Sequence, residues 1–320
     1  MRRTREKYPR PLGREKKQPG STHRHLGKNA EIINAGHADM FDDTLGNWWM
    51  ALLASRPFYG VCPLGRETFM VPLRWEDDWP YIGSKSGLIE NEFALPDLTD
   101  KKTDTTDWTD ESSCDHFDAK MPLHWLMLRM PARDHDEALS LTARSGALRL
   151  FTKAATMRGA DHPAFAGRRI KHQNWAFSAA LEFTPKAIGE SAGIILLQSE
   201  DWQYRFEMFL AESGPSLRLV RVAGKEDEII ASVERPEIAA GKRLVLAARC
   251  DEMELSFFYG NDQYALKHCA GPVDGRILSA EYAGGFVGNL AGVFASGNGK
   301  DTNNHADVFW AEYTGVTSSI

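Results

Sequence analysis

The chain has little of what most quickly assigns a class. Its four cysteines, Cys62, Cys114, Cys250 and Cys269, form no CxxC pair and no metal-ligand spacing, which leaves them as free thiols or core fillers. No apolar run approaches the length of a bilayer crossing, so no membrane partner is expected. An excess of positive charge is missing too. Lys and Arg number 38 against 44 Asp and Glu, a net charge of -6, which argues against a nucleic-acid binder. No stretch reads as a convincing amphipathic helix. The first twenty residues lack the apolar segment of a secretory signal but carry eight cations, from Arg2 to Lys17. They read as a basic disordered arm over residues 1–28. The lack of a visible leader favours a reducing, cytoplasmic compartment. Nothing in the sequence speaks to the oligomeric state.

What is present is β patterning, in a chain of 320 residues that is 42% hydrophobic and long enough for two domains. Between Gly36 and Pro80 the pattern gives a strand, a turn at 44–47, and a second strand in which Trp48, Met50 and Leu52 alternate with Trp49, Ala51 and Leu53. A loop delivers Leu64-Gly65-Arg66-Glu67-Thr68-Phe69; a third strand, an acidic turn at Asp77-Asp78 and a short fourth strand follow. Four short strands joined by tight turns describe one blade of a β-propeller, and apolar residues on both faces suit a sheet packed between neighbours.

Residues 91–112 are polar and without periodicity, which marks a linker between a unit at 29–90 and another at 113–316. The second unit is a long series of strands. A hairpin spans 139–150, one long strand begins at Arg168 and runs through Phe177, and the last covers 306–313. In 202–208, Trp202, Tyr204, Phe206 and Met208 share one face; Gln203, Arg205 and Glu207 share the other, expected in water or on a ligand. Strands at this spacing mean a jelly-roll sandwich.

An ordered series of short elements, GHAD at 36–39, GNWW at 46–49, SRP at 55–57, LGRETF at 64–69 and WEDDWP at 75–80, resembles family 43 glycoside hydrolases of the β-xylosidase and α-arabinofuranosidase type. Asp115-His116-Phe117 before Trp125 resembles the opening of that family's sandwich. The resemblance covers roughly residues 30 to 315. It implies an all-β chain: a fragment of a five-bladed β-propeller, its last blade, followed by a concanavalin A-like jelly-roll β-sandwich. It implies hydrolysis of terminal xylose or arabinose residues, with xylo- or arabino-oligosaccharides as partners. A reading from another class is a non-catalytic carbohydrate-binding or interaction module built on the sandwich.

Arg66 follows a glycine in a loop between apolar strands, where its five donors can meet sugar hydroxyls, a carboxylate, or an acid such as Glu67 in a salt bridge. The resemblance makes it a substrate contact, and Arg56 structural. His37 alone reads as a structural hydrogen-bonder; the resemblance places it near the propeller axis, holding a central cation or water cluster beneath the substrate. The Gly-rich 282–290 reads either as a strand whose glycines allow close packing or, by resemblance, as an element presenting Phe286 to the substrate. No organic cofactor is implied. Asp307 resembles an acid common in the last strand of such sandwiches, which either bonds at a strand end or lies near a structural calcium. No catalytic residue is assigned. The resemblance implies an inverting mechanism whose Asp base, Glu acid and second Asp lie upstream of GHAD; Glu6, Glu15 and Glu31 match none of their motifs. Asp42-Asp43 and Asp77-Asp78 are turn formers.

Overall fold

The computed structural model describes residues 31–84, 88–93, 110–118, 120–129, 137–238 and 242–316. The chain divides into two compact units between Thr105 and Thr106. The basic arm lies outside the described residues, as does most of the linker.

In the first unit four strands, β1 (Ile33–Asp42), β2 (Trp48–Ser55), β3 (Glu67–Glu76) and β4 (Trp79–Ile82), form one antiparallel sheet in chain order, the blade expected from the pattern. Its turns follow from their residues. The Asp43 carboxylate accepts from the backbone N–H of Leu45 and of Asn47, both at 2.9 Å, from Asn47 Nδ2 at 2.9 Å and from Trp49 Nε1 at 3.1 Å. Those donors, the Asn47 and Trp49 side chains foremost, hold its pKa down at about 2. Asp77 and Asp78 sit at φ 49° and 59°, the left-handed pair that a two-residue hairpin turn requires and aspartate tolerates. On one face Leu52, Ala54 and Val71 are buried with Ile32, Ile82 and Ile89. At β1, Met40 and Phe41 are consecutive, so they project from opposite faces. They are 41% and 43% exposed, leaving apolar surface on each side of the sheet.

The second unit is a two-layer sandwich. Its strands are β5 (Asp110–His116), β6 (Trp125–Leu126), β7 (Leu139–Ser140), β8 (Leu148–Phe151), β9 (Ala164–Arg169), β10 (Asn174–Glu182), β11 (Ser191–Ser199) and β12 (Trp202–Ala211). They continue with β13 (Gly214–Ala223), β14 (Glu226–Glu234), β15 (Leu244–Asp251), β16 (Glu254–Gly260), β17 (Lys267–Asp274), β18 (Leu290–Ser296) and β19 (His305–Val316). One sheet runs β17-β16-β15-β10-β19-β8-β7, with β5 pairing a second stretch of β19; the other runs β14-β13-β12-β11-β18-β9-β6. Between them Phe177, Phe206, Phe257 and Tyr313 are fully buried, and the Phe206 and Phe257 rings meet edge to face across the layers at 5.8 Å. The opening motif packs as a unit. Asp115 Oδ2 accepts from Trp125 Nε1 at 2.9 Å, and the Trp125 ring meets buried Phe117 at 5.3 Å.

Three expectations are corrected. The single strand through 168–177 is two strands in different sheets, β9 and β10. The chain crosses the core at 170–173, where buried His172 lies 2.9 Å from the Tyr313 hydroxyl and fills the space over Gly315. A Cβ at Gly315 would come within 2.0 Å of that imidazole. The polar face of β12 is not in water, since Gln203 and Glu207 are 0% and 1% exposed. Gln203 donates to the Met157 carbonyl at 3.0 Å, Glu207 pairs with Arg218 at 2.6 Å, and Met157 packs on the same outer face against Ile195, Leu197 and Phe294. Residues 282–290 are not a strand; one helical turn, α1 (Ala280–Ala283), gives way to a loop before β18.

The sandwich closes its own core, whereas the blade leaves apolar surface on both faces. Residues 106–320 expressed alone are therefore expected to melt cooperatively as a monomer, and residues 29–95 to show no cooperative transition by circular dichroism. A cooperative monomeric melt of the short segment would contradict this.

Candidate functional site

The blade gathers its candidates at one end. The start of β1 pairs with the end of β2, Gly36 opposite Leu53, and the end of β2 pairs with the start of β3, Ala54 opposite Glu67. His37 and Arg66 are therefore carried to the same end of the sheet. The pairing of β1 is irregular on both sides of Gly36, and His37 itself is left-handed at φ 53°. Such a bulge re-aims a side chain, here the exposed imidazole of His37. Asp39 turns back locally, accepting from the Met40 N–H at 3.0 Å.

Arg66 stands at the close of a short, well-anchored loop. Phe58 and Val61 bridge it, the Gly65 N–H donates to the Cys62 carbonyl at 3.2 Å, and Cys62 and Leu64 are buried beneath it. Gly65 takes φ 69°, a conformation that glycine adopts without strain. Glu67 pairs with Arg56. Both its oxygens accept from Arg56, Nε at 2.9 Å and Nη2 at 2.8 Å, a bidentate pair that ties the SRP element to β3. The sequence offered Glu67 as a partner for Arg66; the structure gives its two oxygens to Arg56, which reaches it across the loop.

In the sandwich, Phe286 lies in the loop after α1, with Gly284 and Gly285 both at φ 76°. Gln198 Nε2 donates to the Gly284 carbonyl at 3.2 Å, which holds the loop at its base. Phe286 is 64% exposed and Val287 51%, so the loop displays apolar surface rather than burying it. Tyr282 stands beside it, edge-on to Trp202 at 6.5 Å, an aromatic neighbour not singled out from the sequence.

Asp307 is a hydrogen-bonded strand residue. Arg149 donates to its two oxygens at 2.7 and 2.9 Å and Arg144 to one at 2.8 Å. Burial pushes its carboxyl up, and the two arginines outweigh that and hold it below the usual range. With both oxygens engaged by guanidinium groups, a dication does not fit there. Among the described residues no group of three or more His, Cys, Asp or Glu could hold a metal ion. Burial pushes the Cys250 thiol up to about 12 and that of Cys269 to about 11, away from the thiolate form that binds a metal. A cleft of about 460 Å³ opens at one end of the sandwich over Leu181, Met208 and Leu244, with Arg235 and Lys242 at its rim; none of Arg66, His37 and Phe286 lines it.

Residues 114–314 match the family described as the beta xylosidase C-terminal concanavalin A-like domain, and residues 3–80 match glycosyl hydrolases family 43. The chain belongs to family 43. This family 43 chain is 31% identical over 295 residues to a xylosidase/arabinosidase of Butyrivibrio fibrisolvens, covering 91% of the chain and 54% of that protein. It is 31% identical to a non-reducing end alpha-L-arabinofuranosidase of Bacteroides ovatus, covering 87% of the chain and 50% of that protein. The chain thus spans about half the length of the curated relatives it matches. Among solved structures, the Bacteroides ovatus xyloglucan-locus family 43 protein superposes with a TM-score of 0.81 at 28% identity, covering 95% of this chain and 57% of that one. A xylan beta-1,4-xylosidase of Bacillus halodurans shares the fold, with a TM-score of 0.82 at 23% identity over 93% of this chain and 56% of that one.

Proposed function

We propose that this chain carries the substrate-contacting last blade and the sandwich of a glycoside hydrolase acting on terminal xylose or arabinofuranose residues of oligosaccharides. The observation that carries the reading is the strand pairing that brings the LGRETF arginine, Arg66, to the end of the blade where His37 also projects. In this reading Arg66 binds a sugar hydroxyl and His37 orders the cation or water beneath the ring; in the sandwich, Phe286 offers an exposed apolar face to a sugar.

The acid and base are not among these residues. A general acid must hold its proton at working pH, which needs a raised pKa. In the blade, Asp43 is held far below its usual value instead, and Asp39, Glu67 and Glu76 each serve a local hydrogen bond or ion pair.

The test is a chimera in which residues 31–316 replace the matching half of the Butyrivibrio enzyme. It should hydrolyse aryl xylosides or arabinofuranosides. In it, Arg66→Ala should lower kcat/KM by about ten- to a hundredfold, the worth of a charge-assisted contact of about 1.5–3 kcal/mol. Arg56→Lys should cost far less. Small, equal effects would make Arg66 structural.

A further inference from the structure

At one end of the sandwich the core forms the wall of a cleft. Leu181, at the end of β10, pairs with Leu244, at the start of β15, and Met208 of β12 joins them from the other sheet. None of the three is more than 3% exposed, and together they line the cleft of about 460 Å³. The residues that leave β14 and enter β15 pass from one sheet to the other at this end. Of these, Arg235, Ile238 and Lys242 line the same cleft. Its size is that of a small-molecule site, which is typically apolar with a few polar groups in fixed places.

The charge in this lining is uneven. Glu182 is its one acid, and guanidinium groups already answer it, Arg144 Nη1 at 2.8 Å and Arg243 Nε at 3.6 Å. Arg235 and Lys242 are its two cations, and neither has an acidic partner among the described residues. Glu237, two residues from Arg235, is paired with Lys267 at 3.1 Å. Arg235 uses only Nε, which donates to the Ser213 carbonyl at 2.5 Å, so its two terminal nitrogens stay available. Its backbone is held at φ 44°, directly before Pro236. A left-handed φ is uncommon in an arginine, and a following proline restricts the backbone further. Strain of that kind gathers at ligand clamps, where surrounding contacts such as the Ser213 bond maintain it.

We propose that this cleft binds a small apolar monocarboxylate, with its tail against Leu181, Met208 and Leu244 and its carboxylate on Arg235 and Lys242. The planar fork of an arginine matches a carboxylate with two parallel hydrogen bonds, and the lysine adds a point charge. The lining selects this class. A neutral apolar compound gains nothing from the two cations. A sugar would set its hydroxyls against an aliphatic wall that offers them no partner. Nucleic acid needs a stripe of cations along its backbone, and the cleft has two. The site shares no residue with Arg66, His37 and Phe286 and does not rest on the proposed function.

The experiment is calorimetric titration of the full chain with octanoate, octanamide and acetate. Octanoate should bind saturably at one site, with a Kd below about 1 mM. Octanamide keeps the tail without the charge and acetate the charge without the tail, and each should bind at least about tenfold more weakly. Arg235→Gln should lower octanoate affinity by about tenfold, to the octanamide level, and Lys242→Gln should cost less. Ile238→Asp, which sets a like charge in the lining, should abolish binding. All three positions are exposed, so each variant should keep the parent's thermal midpoint. Equal affinity for octanoate and octanamide would overturn the assignment, as would parent-like binding by Arg235→Gln. Unsaturable uptake at several sites, or no binding of octanoate at millimolar concentration, would overturn it too.

Discussion

Purified 320-residue chain is expected to release 4-nitrophenol from aryl β-xylosides and α-arabinofuranosides no faster than buffer. Inversion requires a base to activate water on one side of the sugar and an acid to protonate the departing oxygen on the other. Each role contributes typically about 10²–10⁴-fold, and neither has a candidate among the described residues of the blade. Three of the blade's carboxylates are engaged in its architecture: Asp43 closes the first hairpin, Glu67 clamps Arg56, and Glu76 pairs with Arg74. Arg66 and His37 can orient a sugar, but an arginine is effectively always protonated and one imidazole cannot serve both faces of the ring. The control is the His37→Ala, Arg66→Ala double variant. Turnover by the parent that vanishes in that variant would show a complete catalytic site within the chain, and the assignment of the acid and base to other residues would fall.

Arg168→Ala is expected to cost the sandwich about 3–5 kcal/mol, the range for removing one partner of a buried ion pair. Arg168 points inward from β9 with its side chain 2% exposed. It donates to Ser113 Oγ at 2.7 Å, pairs with Glu111, lies 3.8 Å from Asp115 and stacks 4.5 Å over the Tyr313 ring. Asp115 in turn holds Trp125 and His124. Truncation would take the guanidinium from Glu111, which keeps Lys171, and from Asp115, which keeps Trp125 and His124, and would leave a void among aromatic rings. Arg168→Met, which keeps most of the volume, should be milder than alanine. Urea unfolding of the three proteins reads this directly. A loss below about 1 kcal/mol for alanine would mean that the cluster is solvated and contributes little.

Much of the architecture was legible because hairpins write themselves locally. Asp43-Thr44-Leu45-Gly46-Asn47 carries its own turn chemistry, and the alternation of Trp48 through Leu53 gives the strand that follows. The sandwich was legible in strand count but not in partnership. Nothing between Arg168 and Trp175 breaks the β pattern, since no proline or glycine marks the crossing at 170–173; the signal is a buried histidine opposite a glycine over a hundred residues away. The polar side of β12 looked like a solvent face because its partners, Arg218 and the Met157 carbonyl, come from other segments. At the candidate site, the motif arginine was visible in the sequence, but which of two arginines takes Glu67 depends on how the 56–66 loop folds back. The loop at 284–288 was ambiguous because paired glycines serve close packing and left-handed backbone equally well.

The position of β19 has a consequence for biosynthesis. It is the last strand of the sandwich, yet it lies in the interior of its sheet, bonded to β10 on one side and to β8 and β5 on the other. A ribosome delivers it last. Until residue 316 has cleared the exit tunnel, β10 presents an open edge and β5, β7 and β8 have no sheet to join, so the nascent sandwich waits with its central seam unfilled. The other sheet has a similar, earlier gap, closed when β18 arrives between β11 and β9. Such long-range closure is slow compared with hairpin formation and exposes strand edges meanwhile. A polypeptide that stops a dozen residues short would lose the keystone rather than a fringe, and quality control would meet an unclosed sheet.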